Sequence, residues 1–438
     1  DKNPFVTRRA PFRVYDAMQP VAGDAFRPAA PTQAVRVHIP VPEDARPGRI
    51  SCRLTVRQGR ESLDLDLGLQ VFRARIPPVG RDSWPYTNWF SLENMAKRHR
   101  LAPWSAAHWA MIARYARLMA RNRQNTFLLP FKDIFSAGPA GLALDRGRLR
   151  RLVGLFTRAG LYYIEGGHFG RRSTAAWTCP TFNVSLTGVA ATSEEGNRVI
   201  AGAARQLMEE IDARGWRGRY LQHVADEPIK DNAQDYRIFA GIVRKYMPGI
   251  PLVDALMDPT LSGSVDIWCP QAQHYQKERA RFDALRAQGD RLWFYTCCYP
   301  GGPWLNRLLD MELLRPVLLG WGAARFGLDG FLHWGLNQYR SDQDPFAMSV
   351  VPNWGGGPAA LPPGDTHVVY PGADGPWSSV RFEAQREGLE DLELLRQLRR
   401  RQPRRAAALL KPVIRGFDDY TQEVPVLRRA RRALLCSL

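Results

Sequence analysis

The sequence predicts an α/β protein built on a (β/α)8, TIM-like barrel, with an N-terminal β-sandwich-like domain and a small C-terminal subdomain. Three patterns support this prediction: an early segment with period-two alternation, a long middle stretch in which short apolar strands alternate with helical segments, and a later Pro/Gly-rich break. A chain of 438 residues has room for two or three domains. We place the β-sandwich-like domain at 1–80, the barrel at 81–350 and a C-terminal hairpin with basic helices at 351–438.

The middle stretch contains eight candidate strands separated by helical segments, which matches a (β/α)8 barrel in number and size. A doubly wound open sheet is the alternative fold, but the first strand is not followed by the glycine-rich phosphate loop that would favour it. The strands are predicted at 86–90, 126–129, 162–165, 220–225, 252–255, 265–268, 292–295 and 330–334, and the helices at 106–121, 145–159, 194–213, 232–245, 277–288 and 312–324.

The segments on either side of the barrel have their own signals. Residues 34–41, 50–56 and 63–72 alternate as strands do, and the consecutive prolines Pro77 and Pro78 end that pattern. After the barrel, the stretch 351–364 is too rich in Pro and Gly for regular structure and predicts a long, functional loop. A hairpin and a charged amphipathic helix follow it.

Composition and charge limit the classes of function. The chain has no apolar run long enough to span a membrane, so an integral membrane role is excluded. Its 61 basic and 43 acidic residues give a net charge of +18, and twelve of the basic residues lie between Arg396 and Leu438. No nucleic-acid motif accompanies this basic tail, which is typical of a solvated helix face, although an acidic glycan or an anionic lipid surface is an alternative partner.

The cysteines and the first residues bear on cellular location. The six cysteines are too scattered for a disulfide framework or a structural zinc site; the adjacent Cys297 and Cys298 are read as buried thiols, a vicinal disulfide or a reactive pair. The sequence starts at Asp1 without Met or an apolar leader, which suggests a processed start and a secreted or periplasmic location if a signal peptide was removed. We expect a monomer or a dimer.

The strongest candidate for chemistry is the segment from His223 to Pro228, which contains the adjacent carboxylates Asp226 and Glu227. Pro228 ends the strand, so both carboxylates lie where a barrel strand runs into its loop. Two adjacent carboxylates repel, which tends to raise the pKa of one and to divide the pair into an acid and a charged partner. The alternative is a helix cap, because Asp and Glu also precede helices.

Other predicted strand ends carry aromatic and amide side chains that suit a sugar. Aromatic rings offer flat apolar faces to the C–H side of a sugar ring, while His, Gln and Asn hydrogen-bond its hydroxyls. Each Trp alone is better explained as core than as a ligand platform, but four strand ends share the same mixture. The candidate substrate-binding residues are His168, His223, Trp268, Gln271, Trp293, Tyr295, Trp334 and Asn337. No zinc, nucleotide or acyl-transfer motif is present, and we predict no metal and no cofactor.

Taken together, these segments resemble glycoside hydrolase family 123 and its uncharacterised relatives. The resemblance is carried by 223–228, by 293–298, by 330–337 with Asp344 and Pro345, and by Arg381 with 386–391, and it spans roughly residues 35–400. It implies a (β/α)8 catalytic domain behind a β-sandwich and a retaining exo-β-N-acetylgalactosaminidase that uses the 2-acetamido group of its substrate as nucleophile. It also implies that Asp226 orients the acetamide while Glu227 protonates the leaving oxygen and then activates water.

Two other readings stay open. The same barrel and Glu227 would serve a glycosidase acting on a sugar without an acetamide, or on an anionic one, if a distant carboxylate such as Glu165 were the nucleophile. The pocket would also serve a carbohydrate-binding protein without turnover. All three readings make a glycan or glycoconjugate the partner and none involves nucleic acid.

Overall fold

The computed structural model describes residues 6–9, 11–21, 23, 33–138, 141–353 and 360–438. Its centre is a parallel barrel of eight strands, in the cyclic order β1 to β8. A parallel bridge between Gln222 and Leu252 links β4 to the start of β5 and closes the ring, which excludes the open sheet. The strands are β1 (Tyr86–Asn88), β2 (Thr126–Leu129), β3 (Tyr163–Gly166), β4 (Tyr220–Gln222), β5 (Val253–Asp254), β6 (Ile267–Trp268), β7 (Arg291–Tyr295) and β8 (Gly330–His333).

Helices cover the outside of the barrel, and serine or aspartate side chains cap several of them, as at Ser91, Ser105, Asp145 and Ser193. The link from β5 to β6 departs from the regular pattern, because it holds only the short 3-10 turn Pro259–Leu261. The helices are α1 (Leu92–Arg98), α2 (Ala106–Arg121), α3 (Phe131–Ile134), α4 (Arg146–Ala159), α5 (Glu194–Ala213), α6 (Ala233–Tyr246), α7 (Ala272–Lys277), α8 (Arg279–Ala287), α9 (Leu314–Phe326), α10 (Val380–Arg401), α11 (Pro403–Leu410) and α12 (Val424–Leu435). None of the helices in the described part of the chain combines the length and apolar composition of a membrane span.

The interior of the barrel is filled by side chains that alternate along the strands. Ile267 and Cys269 point inward with Trp293, Tyr295 and Leu332, whereas the intervening residues face the helices. The interior is therefore a packed core that ends below the carboxyl ends of the strands. The connecting loops surround this mouth of the barrel, and the space between them is called the cleft below.

The C-terminal part packs tightly on the barrel. Helices α9 and α10 cross where Gly320 faces Gly388, and a β-carbon at either position would overlap backbone of the other helix. A hairpin lies between the loop and α10, but its strands, Tyr370–Gly372 and Gly375–Ser379, are shifted from the predicted 366–370 and 378–382, because α10 begins at Val380. The predicted long loop is observed at its two ends, where Val351–Pro352 pairs with Ala360–Leu361, while residues 354–359 lie outside the described residues.

The N-terminal region contains one long hairpin, Gly48–Gln58 with Glu61–Val71, and most of its side chains are exposed. Residues 34–41, whose alternation predicts a strand, belong to no strand. Among the residues described before position 80, no second sheet packs on the hairpin, so a β-sandwich over 1–80 stays a prediction. The short strand Ala17–Met18 instead pairs with Ser378 and Ser379, and the buried Arg381 forms a salt bridge to Asp16 with a distance of 2.9 Å.

Candidate active site

The segment that follows β4 places Asp226 and Glu227 at the carboxyl-end mouth of the barrel. A parallel bridge between Gly170 and Ala225 continues the pairing beyond Gln222, the last residue of β4. The chain then turns sharply, because Glu227 has a φ of 48° before Pro228. A non-glycine residue in this left-handed region is strained by roughly 1–3 kcal/mol, and such strain is concentrated at functional positions. The turn lets two sequence neighbours face the cleft together.

Glu227 is half-buried and receives a hydrogen bond from the phenol of Tyr295, the last residue of β7. Desolvation raises the pKa of the Glu227 carboxyl, while the bond from Tyr295 and the charge of Arg172 act in the opposite direction. The raised pKa keeps a larger fraction of this carboxyl protonated at neutral pH than in a free glutamate.

Asp226 is more open, with 51% of its side chain exposed. Desolvation at the floor of the cleft, together with the negative charges of Glu227 and Asp254, raises the pKa of Asp226 to about 8. The two neighbouring carboxyls therefore resist losing both protons in the neutral range, and the pair favours one acid and one carboxylate.

Arg172 holds the backbone of this pair in place. Its Nη1 donates to the carbonyl oxygen of Asp226 at 3.2 Å and its Nη2 to that of Glu227 at 2.6 Å. Arg172 comes from a hairpin inserted after β3, formed by Gly170–Arg172 and Phe182–Val184. One guanidinium thus spans both peptides of the strained turn.

A buried ionic chain lies beneath the pair. His223 donates from Nε2 to Glu165 Oε1 at 2.5 Å and from Nδ1 to Asp254 Oδ1 at 2.6 Å, and all three side chains are fully buried. Desolvation alone would lower the pKa of this imidazole, but the two carboxylates outweigh it and raise the pKa to about 10. His223 is therefore an imidazolium at neutral pH.

Further donors complete the chain at both ends. Glu165 accepts hydrogen bonds from Thr87 Oγ1 at 2.5 Å and from Trp89 Nε1 at 3.0 Å. Asp254 Oδ2 accepts from Tyr236 and from the backbone N–H groups of Val224 and Ala225. Both carboxylates are thus saturated with donors, as buried charges must be.

His168 differs from His223 although the two rings are in contact, with centroids 4.3 Å apart and planes inclined by 33°. Burial and the adjacent imidazolium lower the pKa of His168 well below its usual value, so its ring is neutral. Its Nε2 has no hydrogen-bond partner among the described residues and lies 4.0 Å from Asp226 Oδ1. A neutral imidazole with a free nitrogen beside Asp226 is suited to hydrogen-bond a sugar substituent.

His168, His223 and Asp254 are close enough to hold a metal ion, with potential ligand atoms within 4.8 Å of one another. The chemistry of His223 does not fit that role. Both of its nitrogens already donate to carboxylates, and a metal requires a deprotonated imidazole nitrogen. These residues fit an ionic network rather than a metal centre.

The opposite wall of the cleft is formed near Trp334, whose Nε1 donates to Asp365 Oδ1 at 3.2 Å. Burial raises the pKa of Asp365 to about 7 despite the bond from Trp334. The second oxygen of Asp365 has no partner among the described residues. Nearby, Cys297 and Cys298 are free thiols with their sulfurs 3.8 Å apart, so no disulfide joins them.

The structure brings several predicted site residues together and places others elsewhere. Asp226, Glu227, His168 and Tyr295 meet at one cleft that Trp334 lines, and His223 is fully buried beneath them. Trp293 lies deeper inside the barrel, two residues before Tyr295 on the same strand face, and Gln271 is buried against Cys297.

Two further predicted residues point away from the cleft. Trp268 faces outward, where it packs on Phe282 of α8 and donates to Asp290 at 2.8 Å. The Asn337 amide is buried against both backbone groups of Ser91 and so holds the start of α1. The sugar contacts predicted for these two side chains are not supported by their positions, because neither presents a polar or aromatic face to the cleft.

Sequence reasoning missed Arg172, Asp254 and Asp365. A carboxylate at the end of a predicted strand was the signal available for Asp254. Arg172 gave no signal, because its role depends on how the inserted hairpin folds back over the next strand end. Asp365 comes from a long loop whose path the sequence does not specify.

A closed (β/α)8 barrel with an acidic pair and sugar-compatible side chains at its carboxyl-end mouth defines the class of the protein, a glycoside hydrolase. The family model described as "Glycoside hydrolase 123, catalytic domain" matches residues 152–398, more than half of the chain. The protein therefore belongs to glycoside hydrolase family 123.

A solved structure of a family 123 enzyme shares the fold. A family 123 glycoside hydrolase from Clostridium perfringens, described in terms of glycolipid glycan hydrolysis, superposes with a TM-score of 0.68 at 12% identity, covering 90% of this chain and 76% of that one. A family 39 glycoside hydrolase from Bacteroides cellulosilyticus gives a TM-score of 0.40 at 12% identity, covering 79% and 71% of the two chains. No curated protein sequence matches the chain.

Proposed function

We propose that the protein is a retaining exo-glycosidase that removes terminal β-linked N-acetylhexosamine, N-acetylgalactosamine in particular, with the 2-acetamido group of the substrate as nucleophile. The observation that carries this proposal is the adjacency of Asp226 and Glu227 on one strained turn at the mouth of the barrel. Because the nucleophile belongs to the substrate, no second carboxylate has to lie across the sugar ring from the acid, so an adjacent pair is sufficient.

In the first step, Glu227 donates its proton to the glycosidic oxygen while the acetamide oxygen attacks the anomeric carbon. The bond from that carbon to the leaving oxygen breaks, and an oxazolinium ring forms. The raised pKa of Glu227 supplies the proton that this step needs.

Asp226 acts on the acetamide during the same step. With the proton of the coupled pair on Glu227, Asp226 is the carboxylate that accepts the acetamide N–H, orients the carbonyl oxygen towards the anomeric carbon and stabilises the positive charge that develops. The neutral His168 lies beside Asp226 and offers a hydrogen bond to the same part of the substrate.

In the second step, Glu227, now a carboxylate, takes a proton from water as the water oxygen attacks the anomeric carbon. The oxazoline ring opens and the acetamide is restored. Two inversions at the same carbon leave the product with the β configuration of the substrate, and Glu227 regains its proton.

The surroundings of Glu165 favour this scheme over a glycosyl-enzyme route. A nucleophilic carboxylate must reach the anomeric carbon, but Glu165 is fully buried and already accepts from Thr87, Trp89 and His223. Freeing it would leave an imidazolium and two donors without partners, at a cost of several kcal/mol.

The test is release of 4-nitrophenol from its β-N-acetylgalactosaminide, β-N-acetylglucosaminide and β-galactoside. We expect turnover of an acetamido sugar only, a loss of about 10² or more in both Glu227→Gln and Asp226→Asn, and inhibition by a thiazoline mimic of the cyclised intermediate. Glu61→Gln, on the exposed N-terminal hairpin, is the matched control and should retain activity.

Other outcomes would contradict the proposal in recognisable ways. Turnover of the galactoside without thiazoline inhibition would indicate a glycosidase that does not use an acetamide. Glycan binding that survives Glu227→Gln, with no hydrolysis by the unmutated protein, would indicate a carbohydrate-binding protein.

A further inference from the structure

The loop that joins the two strands of the hairpin after β3 carries an exposed tryptophan. Trp177 has 43% of its surface exposed, although large aromatic side chains are normally covered. It lies in the connection between Arg172 and Phe182, which pair with each other at the hairpin's end. The hairpin lies beside the turn that holds the acidic pair.

Arg172 links this tryptophan to the acidic pair. The carbon at the centre of its guanidinium lies 3.9 Å from the Trp177 ring centroid, and its Nε donates to the Trp177 carbonyl at 3.0 Å. The same guanidinium donates to the carbonyl oxygens of Asp226 and Glu227. The Arg172 guanidinium therefore lies between the aromatic ring and the backbone of the acidic pair and contacts both.

The base of the loop is also fixed. Ser173 bonds to Thr181 through both its backbone N–H, at 3.0 Å, and its hydroxyl, at 2.8 Å. Asn232, at the start of α6, donates from its side chain to the carbonyl of Cys179 at 3.0 Å. A ring on an anchored loop with a cation on one face has little freedom left to lose when a ligand covers the other face.

We propose that Trp177, supported by Arg172, is the binding platform for the sugar on the leaving-group side of the bond that is cleaved. This inference rests on the proposed function and specifies its substrate as a glycan with at least one sugar beyond the terminal residue. Glu227 protonates the oxygen that joins the two sugars, so the second sugar lies on the side of Glu227. The exposed ring, with only the Arg172 guanidinium between it and the backbone of Glu227, offers the apolar face that the C–H side of a sugar requires.

The test measures ligand binding to the Glu227→Gln variant. This variant lacks the proposed acid, so it does not hydrolyse the ligands during the measurement. Isothermal titration calorimetry compares a disaccharide of N-acetylgalactosamine β-linked to galactose with methyl β-N-acetylgalactosaminide, which lacks the second ring. Adding Trp177→Ala should weaken disaccharide binding about tenfold, equivalent to about 1.4 kcal/mol, because the second sugar loses its aromatic contact, and should leave the binding of the methyl glycoside unchanged. Trp177→Phe should retain most of the affinity, and Arg171→Ala, on the same hairpin, should have no effect.

Two results would overturn the inference. Unchanged disaccharide binding in Trp177→Ala would show that the ring does not contact the second sugar. Equal weakening of both ligands would show that Trp177 acts only by supporting Arg172 and the acidic pair.

Failure of the proposed function would look different. In that case the unmutated protein cleaves no N-acetylhexosaminide, and a panel of other oligosaccharides replaces the disaccharide in the same binding comparison. Selective loss of one oligosaccharide in Trp177→Ala would then support the platform for a different glycan, and equal binding of the whole panel would refute it.

Discussion

The Nδ1 atom of His223 lies 2.6 Å from Oδ1 of Asp254, directly beneath the acidic pair. The other oxygen of Asp254 accepts the backbone N–H groups of Val224 and Ala225, the two residues that precede Asp226. Through Asp254, His223 therefore holds the backbone of the two residues that precede the pair. Its positive charge also neutralises part of the negative charge beneath the pair.

Replacing His223 with Gln should destabilise the protein and change how its stability depends on pH. The folded-state pKa of about 10 lies above the ordinary value of 6.5, so the stabilising contribution is fully present below about pH 6.5 and is lost as pH rises through about 10. We expect the free energy of unfolding, measured with urea, to fall by a few kcal/mol between these values in the unmutated protein. His223→Gln should lack this fall, while the exposed His38→Gln should keep it. Parallel pH curves for all three proteins would contradict the buried imidazolium.

Tyr295→Phe should move the alkaline limb of the activity profile. Activity requires a proton on the acidic pair, so kcat/KM should fall as pH rises above about 8, where Asp226 titrates together with Glu227. The Tyr295 hydrogen bond lowers the pKa of Glu227, so its removal should shift this limb to higher pH and reduce kcat by about tenfold.

Tyr163→Phe is the matched control for Tyr295. Its hydroxyl donates to the Arg81 carbonyl at the opposite end of the barrel, so its profile should match that of the unmutated protein. An unchanged limb in Tyr295→Phe would show that this phenol does not affect the titration of the pair.

Arg172→Met should lower kcat/KM by about 10², because the strained turn at Glu227 loses the guanidinium that spans both of its carbonyls. The charge of Arg172 also lowers the pKa of both carboxyls, so its removal should shift the alkaline limb upward. Arg172→Lys should recover part of the activity. Arg171→Ala should behave as the unmutated protein, and comparable losses in Arg171→Ala and Arg172→Met would refute a specific role for Arg172.

Gly388→Ala should lower the free energy of unfolding by about 2 kcal/mol or more, since the new β-carbon would overlap the carbonyl of Val317 in α9. Gly241→Ala in α6 meets open space and should stabilise the protein by about 0.5–1 kcal/mol. Chemical denaturation of both variants measures the contrast. Similar values for the two would show that α9 and α10 do not depend on close contact at this crossing.

The barrel could be predicted because each strand is a short apolar run between breakers, and all eight predicted strands are found. The acidic pair could be predicted to follow a strand because Pro228 cannot continue one, although β4 itself ends earlier, at Gln222. The direction of individual side chains could not, since a strand of two residues such as β6 gives too short a pattern to tell inside from outside. Trp268 was assigned to the mouth for this reason and faces α8 instead.

The rest depends on contacts between distant segments. Arg172 reaches the acidic pair only because its hairpin folds back across β4. The Asn337 amide is engaged by the backbone of Ser91 only because α1 begins beside it. Residues 34–41 alternate without forming a strand, since alternation creates a strand only when a partner edge is available.

The salt bridge between Asp16 and Arg381 has a consequence for the ends of the chain. Arg381 is buried and also donates to the carbonyl oxygens of Arg307, Gly364 and His367, so it joins the loop next to Asp365 to the start of α10. A chain shortened beyond Asp16 would leave this guanidinium without its counter-ion in the interior. The segment around Asp16 thus stabilises the catalytic cleft from a distance. Removing it would loosen the loop next to Asp365, which lies more than three hundred positions away in the sequence.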